Sequence, residues 1–212
     1  MNAHGEQIAG RPEQPKLRRA DLLDDPIAQI AEWLANAREV ASLPEAMTLA
    51  TIDESGDPDA RMVLLRGVAA DGLRFYTDYE SAKGHQLAAH PTAALVIYWR
   101  ALDRQLRARG PVRRASADDS DAYFQGRPRV ARLAAWISPQ SEPIASREAL
   151  EDRFREQESR FDGIDVSRPP FWGGYVLEPH TIEFFQSQRS RLHDRFLYTR
   201  SGERWRVERL AP

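Results

Sequence analysis

Cysteine is absent from this chain of 212 residues. That excludes a disulfide, a thiolate nucleophile and any cysteine-held metal. Lysine is nearly absent too: Lys16 and Lys83 stand alone, and every other basic residue is arginine. In so arginine-rich a chain a given arginine says little about function, whereas a lysine inside a candidate site says more. No apolar run approaches the roughly 20 residues that a membrane-spanning helix needs. The segment Met1 to Pro15 lacks the apolar centre of a signal peptide, so a cytoplasmic protein is expected. Thirty basic residues face 32 acidic ones, for a net charge of -2; a dedicated nucleic-acid binder carries a strongly basic footprint instead. No G-x-G-x-x-G or P-loop follows a strand, and no G-x-S-x-G elbow offers a serine nucleophile. His4, His85, His90 and His180 are too scattered for a metal site, and none is expected.

What is present is a hydrophobic fraction of 42%, enough for a packed core. Residues 1–16 read as a mobile arm and 17–212 as a single domain. A helix begins at Asp24-Asp25-Pro26, with an acidic cap and proline in the first turn. It shows Ile27, Ile30, Ala31, Leu34 and Ala37 on one face and closes near Ser42-Leu43-Pro44. Strands are expected at Met47 to Ile52, Ala60 to Val68, Leu73 to Thr77, Ala93 to Arg100 and Gln105 to Val112. More follow at Gly174 to Phe185, Arg195 to Thr199 and Arg204 to Leu210. Helices are expected at Ser81 to His90, Ala117 to Phe124, Val130 to Trp136 and Ser146 to Phe161. Short turns such as Asp71-Gly72 and Ser201-Gly202 join strands as hairpins. The expected fold is mainly β with peripheral helices, an antiparallel barrel and not a doubly wound parallel sheet.

Five segments carry candidate chemistry, each with a plainer alternative. Alternation on the second strand puts Arg61, Val63 and Leu65 on one face and Met62, Leu64 and Arg66 on the other. Its terminal arginines either pin two anionic groups or are solvated strand ends. Phe75-Tyr76-Thr77 runs toward Ser81-Ala82-Lys83-Gly84, where a hydroxyl, helix-start amides and the rare lysine make a phosphate cradle; an exposed lysine is the alternative. Tyr123 and Arg127, four apart, meet on one helical face and offer a second anion site, unless the phenol only borders the core. Gln140 and Ser141 suit the polar edge of a flat heterocycle or, more simply, a helix cap. Arg191, His193 and Arg195 share one face if extended, putting an imidazole between two guanidiniums; a solvated basic strand is the alternative.

The order of these signals is more specific than any one of them. R-M-V-L-L-R, F-Y-T, S-x-K-x-H-Q, R-Q, Y-F-x-x-R-P-R, A-W-x-S-x-Q-S, F-W-G-G, R-L-H-D-R-F and R-L-A-P occur in one sequence. From about Leu17 to Pro212 it resembles the pyridoxamine 5'-phosphate oxidases. The resemblance implies an FMN-binding split β-barrel, a homodimer with FMN at the subunit interface, and an FMN-dependent oxidation of pyridoxamine or pyridoxine 5'-phosphate to pyridoxal 5'-phosphate. Dioxygen is then the acceptor and hydrogen peroxide the by-product. It assigns the FMN phosphate to Arg61 and Lys83. Met62, Val63, Leu64, Arg66, Tyr76 and Thr77 line the rest of the cofactor site, which Gln105, Gln140, Ser141, Phe185 and Arg195 complete. Arg66, Tyr123 and Arg127 grip the substrate phosphate, while Arg191 and His193 face the pyridine ring as the catalytic pair.

The sequence departs from the family pattern at several points. Arg66 stands where lysine is usual, Ala82 where a second phosphate-binding arginine is common, and Ala131 where a serine is expected. Phe185 replaces a tryptophan, and Ser187-Gln188 replaces a Gly-Gly pair. The arm lacks an R-x-x-Y segment found in some members. Two other functions fit part of the pattern: a sister FMN oxidase of the phenazine-biosynthesis type, and a carrier that holds FMN or pyridoxal phosphate without turnover. Tyr123 and Arg127 argue against the first, and the R-x-H-x-R triplet against the second.

Overall fold

The computed structural model describes residues 14–189 and 191–212. Most of the expected mobile arm therefore lies outside the described residues. The chain runs α1 (Pro26–Arg38), β1 (Ala46–Ile52), β2 (Pro58–Leu64), β3 (Gly67–Ala69), β4 (Gly72–Asp78), α2 (Ala82–Ala89), β5 (Thr92–Trp99) and β6 (Arg104–Arg114). Then follow α3 (Ala117–Gln125), α4 (Arg129–Ile137), α5 (Arg147–Arg160), β7 (Trp172–Leu177), β8 (Thr181–Gln186), β9 (Asp194–Ser201) and β10 (Arg204–Arg209). The strands pair antiparallel in the order β10-β9-β8-β6-β5-β1-β2, with β3, β4 and β7 joined through β6.

Strand β6 organises the curl. It pairs with β5 along most of its length, with β8 from Arg104 to Arg109, and with β7 from Val112 to Arg114. One strand thus serves two differently directed parts of the sheet, which bends it into a half-barrel. Helix α1 starts as its sequence dictates, with Asp25 accepting the Ile27 amide and proline at the first turn. It closes at Arg38, ahead of Ser42-Leu43-Pro44. The helix drives Trp33 into the barrel, edge-on to Trp99 and Phe184. Ala31, assigned to the apolar face, is exposed, while Gln29 and Trp33 are buried.

Two expected strands are each divided. The segment Ala60 to Val68 breaks at Leu65-Arg66. There the Leu65 amide bonds the Glu45 carbonyl and the Arg66 amide bonds that of Arg74, so the chain changes neighbours from β1 to β4 while Leu65 sinks into the core. Likewise Gly174 to Phe185 breaks at Glu178-Pro179-His180. Proline has no amide hydrogen for a ladder, and the flanking amides of Glu178 and His180 bond Pro111 and Arg109. Gly110 permits this crossing, since a β-carbon there would run into the Glu178 carbonyl.

Candidate active site

A cleft of about 720 Å³ opens between β2, β4 and the α3–α4 turn. Strand β2 lines it with Met62, Val63 and Leu64, and Arg66 follows at the crossing. Strand β4 adds Tyr76 and Thr77, and α2 adds Lys83. Tyr123, Arg127 and Gln140 close the other side. Tyr123 and Arg127 do share the cleft, but not one helical face: α3 ends at Gln125, and Arg127 sits in the turn, its amide bonded to the Phe124 carbonyl. The rings of Tyr76 and Tyr123 stack at 3.7 Å and 7°, with Trp172 nearly parallel at 5.8 Å from Tyr76. Gly174 lies opposite Tyr76 in the β4–β7 register. A β-carbon there would stand 2.8 Å from the Tyr76 ring, so the F-W-G-G segment supplies both an aromatic plane and its clearance.

The cleft's cations are poorly neutralised. Lys83 is buried, and its ammonium donates to Thr77 Oγ1 (3.2 Å), Ser81 Oγ (3.2 Å) and Gln140 Oε1, all of them uncharged. Burial, with the Arg61 guanidinium nearby, pushes Lys83 down to about 8. The Nη1 atom of Arg127 is buried without a hydrogen-bond partner, and the guanidinium lies 4.6 Å from the centre of the Trp172 ring. Burial lowers the pKa of Arg127, and the Arg66 charge works in the same direction. A desolvated ammonium and an unsatisfied guanidinium in one cleft fit a ligand with anionic ends. Arg61 stands behind Lys83 and is engaged by Asp59, Gln86 and Thr51.

The remaining expected site residues gather elsewhere. Gln105, Phe185 and Arg195 sit side by side across β6, β8 and β9, and the His193 ring lies 5.1 Å from that of Phe185. The triplet Arg191, His193 and Arg195 is not one extended face. Strand β9 starts at Asp194, Arg191 has φ of 59°, and its amide turns back to the Gln188 carbonyl. The turn is closed by the Gln188 amide, which donates to His193 Nδ1 at 2.9 Å. An Nδ1 that accepts a backbone hydrogen leaves the ring proton of the neutral imidazole on Nε2. Arg191 is exposed, whereas Arg195 pairs with Glu183 at 2.8 Å and donates to the Ala211 carbonyl. Ser141 is exposed on the loop after α4, with φ of 79°.

Between β6 and β2 lie β5 and β1, so three interstrand steps, about 14 Å along the sheet, separate Gln105 from the β2 wall of the cleft. Sequence reasoning assigned no role to Trp172, although F-W-G-G was a recognisable segment. It also missed Asp59 and Gln86, whose side chains engage Arg61, and Gln188, whose backbone amide bonds His193.

The sequence profile of the pyridoxamine 5'-phosphate oxidases matches residues 34–160. That of the pyridoxine 5'-phosphate oxidase C-terminal dimerisation region matches 172–212. This chain belongs to the pyridoxamine 5'-phosphate oxidase family. The pyridoxine/pyridoxamine 5'-phosphate oxidase of Synechocystis is 48% identical over 201 residues, covering 94% of each chain. The protein so named from Burkholderia thailandensis is 50% identical, covering 92% of this chain and 93% of its own. Among solved structures, PhzG from Burkholderia lata, in complex with tetrahydrophenazine-1-carboxylic acid, superimposes with a TM-score of 0.88 at 30% identity, covering 95% of this chain and all of its own. A pyridoxamine 5'-phosphate oxidase-related, FMN-binding protein from Nostoc punctiforme gives 0.71 at 26% identity, covering 90% and 100%. The two matched regions of this pyridoxamine 5'-phosphate oxidase family member follow the two clusters except at Gln105: Met62 to Gln140, Gln105 among them, fall in the first, and Phe185, His193 and Arg195 in the second. Among the described residues no helix is long and apolar enough to cross a membrane.

Proposed function

We propose that the chain is an FMN-dependent oxidase that converts pyridoxamine or pyridoxine 5'-phosphate to pyridoxal 5'-phosphate, with dioxygen as acceptor and hydrogen peroxide as by-product. The observation that carries this reading is the cleft with two under-neutralised cationic ends, Lys83 at one and Arg127 with Arg66 at the other, on either side of an aromatic wall. Two phosphorylated ring compounds, a cofactor and its reductant, match that pattern of charge.

Lys83 and Arg61 would hold the FMN phosphate. Met62, Val63, Leu64, Tyr76, Thr77 and Gln140 would border the ring system. When bound, FMN supplies a two-electron sink that dioxygen regenerates. Arg66, Arg127 and the Tyr123 hydroxyl would grip the substrate phosphate, and fixing that distant group orients the carbon to be oxidised. His193, with its proton on Nε2, would donate a hydrogen bond to the substrate ring's polar edge, and Arg191 would flank it. Gln105, Ser141, Phe185 and Arg195 would complete the cofactor's surroundings.

The second cluster would meet the cleft of another copy, making a homodimer whose site draws on both chains. Strands β1, β2 and β5 leave Met62 and Tyr98 exposed beside Val40 and Leu43, an apolar patch that suits burial against a second copy. The superposition on a tetrahydrophenazine complex supports a second reading, oxidation of another ring acid, although the closer sequence kinship is to proteins named for pyridoxine phosphate. The test is the visible spectrum of the purified protein, then addition of pyridoxamine phosphate in air with peroxide and aldehyde followed together. A yellow protein that turns over this substrate is the expected result. Yellow protein without turnover favours the second reading or a carrier, and a colourless protein that FMN does not stabilise overturns all of them.

A further inference from the structure

The phosphate cradle of the proposed cofactor site contains an anion of its own. Arg61 spends all four of its Nη hydrogens inside the protein. Nη1 donates to the Leu49 carbonyl (3.3 Å) and Thr51 Oγ1 (2.5 Å). Nη2 donates to Asp59 Oδ2 (2.5 Å) and Gln86 Oε1 (2.8 Å). The Gln86 amide also donates to the same Asp59 oxygen at 2.9 Å, so the carboxylate has both a charged and a neutral donor. These hydrogen bonds, Gln86's foremost, and the Arg61 charge hold the Asp59 carboxyl below its ordinary range. Arg61 and Asp59 act oppositely on Lys83, the first disfavouring its charge and the second favouring it. Asp78 acts on Lys83 in the same direction as Asp59, so the four ionic groups belong to one electrostatic unit with a net charge of about zero. Position 82, where another cation would strengthen the cradle, is alanine.

We infer that Asp59 sets the affinity of this chain for its phosphate-bearing cofactor by occupying Arg61 in competition with the phosphate. The inference rests on the FMN reading above. The arginine has no spare Nη hydrogen, so a phosphoryl oxygen gains one only as one of these four partners lets go. Asp59 is the one to yield: it sits beside an open strand edge with half its side chain in solvent, and it alone repels a dianion. In turn, Asp59 keeps Arg61 hydrogen-bonded in the cofactor-free protein and spares it an unmatched charge.

The experiment is fluorimetric titration of full-length protein, freed of flavin, with FMN and separately with riboflavin, which lacks the phosphate. Asp59→Asn is expected to bind FMN about three- to fivefold more tightly, the fold-change that a half-exposed ion pair supports. Riboflavin affinity stays unchanged, and FMN binding becomes more sensitive to salt as the cradle gains net positive charge. Asp59→Ser serves as a second neutral variant. In an Arg61→Gln background the gain from Asp59→Asn should shrink, because the competition acts through the arginine. FMN affinity that is unchanged or weaker in both variants overturns the inference, as does an equal gain for riboflavin or a gain undiminished without Arg61. Wild-type protein that binds neither flavin removes the FMN reading itself; wild type that binds FMN tightly while the variants match it removes this inference alone.

Discussion

Two arginine-rich regions of the molecule treat their charges in opposite ways. Around β8 and β9 the cations have carboxylates: Glu183 holds Arg195 at 2.8 Å and Arg107 at 3.2 Å, and Asp194 holds Arg209 at 2.7 Å. Both acids are buried, and Asp194 also accepts the Leu17 amide and the Gln188 side chain. Burial opposes the ionised form of Asp194, yet the hydrogen bonds from Arg209, Leu17 and Gln188 keep its carboxyl below the usual range. In the cleft, Lys83 faces neutral oxygens and Arg127 keeps an unsatisfied nitrogen. Buried charge without a partner is costly. Under the proposed function, the cations left without a carboxylate in the cleft are the ones that receive a ligand's anionic groups. Among the described residues Lys83 and Arg127 stand out by lacking a carboxylate, whereas Arg61 and Arg195, also proposed for the site, are each paired with one.

If that contrast is right, the largest effect comes from Lys83. Lys83→Met is expected to weaken FMN binding by about 100-fold, the loss typical when one partner of a desolvated charge pair is removed. The flavin-free protein should meanwhile melt no lower than wild type, because a desolvated charge has gone. Fluorescence titration and thermal unfolding read the two sides, and a lower melting temperature with unchanged affinity would make Lys83 purely structural.

Next come the substrate groups. Arg127→Ala should raise KM for the phosphorylated substrate by about 30-fold with a smaller change in kcat, since its charge acts on a group that does not react. His193→Ala should lower kcat by about 100-fold with KM less affected. Steady-state kinetics separate the two, and identical profiles would refute the division of labour.

The paired region predicts a different outcome. Glu183→Gln leaves two arginines without their carboxylate and should cost about 2 kcal/mol of stability in urea unfolding, part of the pairs being solvated. FMN affinity should change less than threefold by comparison with the Lys83 variant. A reversed ranking of affinity and stability effects would break the comparison.

The pH dependence is the smallest and sharpens the same point. Lys83 sits at about 8 in the folded protein against an ordinary 10.5. Below 8 the folded state carries the full penalty of the buried charge. Between 8 and 10.5 the native lysine is neutral while the unfolded one still holds its proton, so the lysine's contribution to stability rises with pH across that window. A phosphate beside the ammonium favours the charged form, so FMN affinity should fall as pH climbs past 8. Titrations at pH 7 and 9 on wild type and Lys83→Met check this, and an equal fall in both would assign the effect to another group.

Much of the architecture was legible because it depends on local patterns. Asp25-Pro26 starts a helix, Asp71-Gly72 turns a hairpin, and alternating apolar residues pair as strands wherever they find neighbours. The divisions at Leu65-Arg66 and at Pro179 were less legible, because an apolar run looks the same whether or not the chain changes sheet partners within it. The R-x-H-x-R spacing predicted a common face; the bond from the Gln188 amide to His193 replaced it with a turn. That bond depends on a residue five positions away adopting a conformation which no alternation pattern records.

By itself the sequence determined the antiparallel, helix-flanked class of the fold, the family, and the short set of residue types able to hold phosphates. Which of those cations have partners was decided by tertiary structure alone. Pairing depends on which side chains the curled sheet brings within about 3 Å of one another. Glu183 with Arg195, or Asp194 with Arg209, meet only once separate strands have paired, whereas Asp59 and Arg61 are two apart on β2 and are joined through Gln86 only in the folded chain.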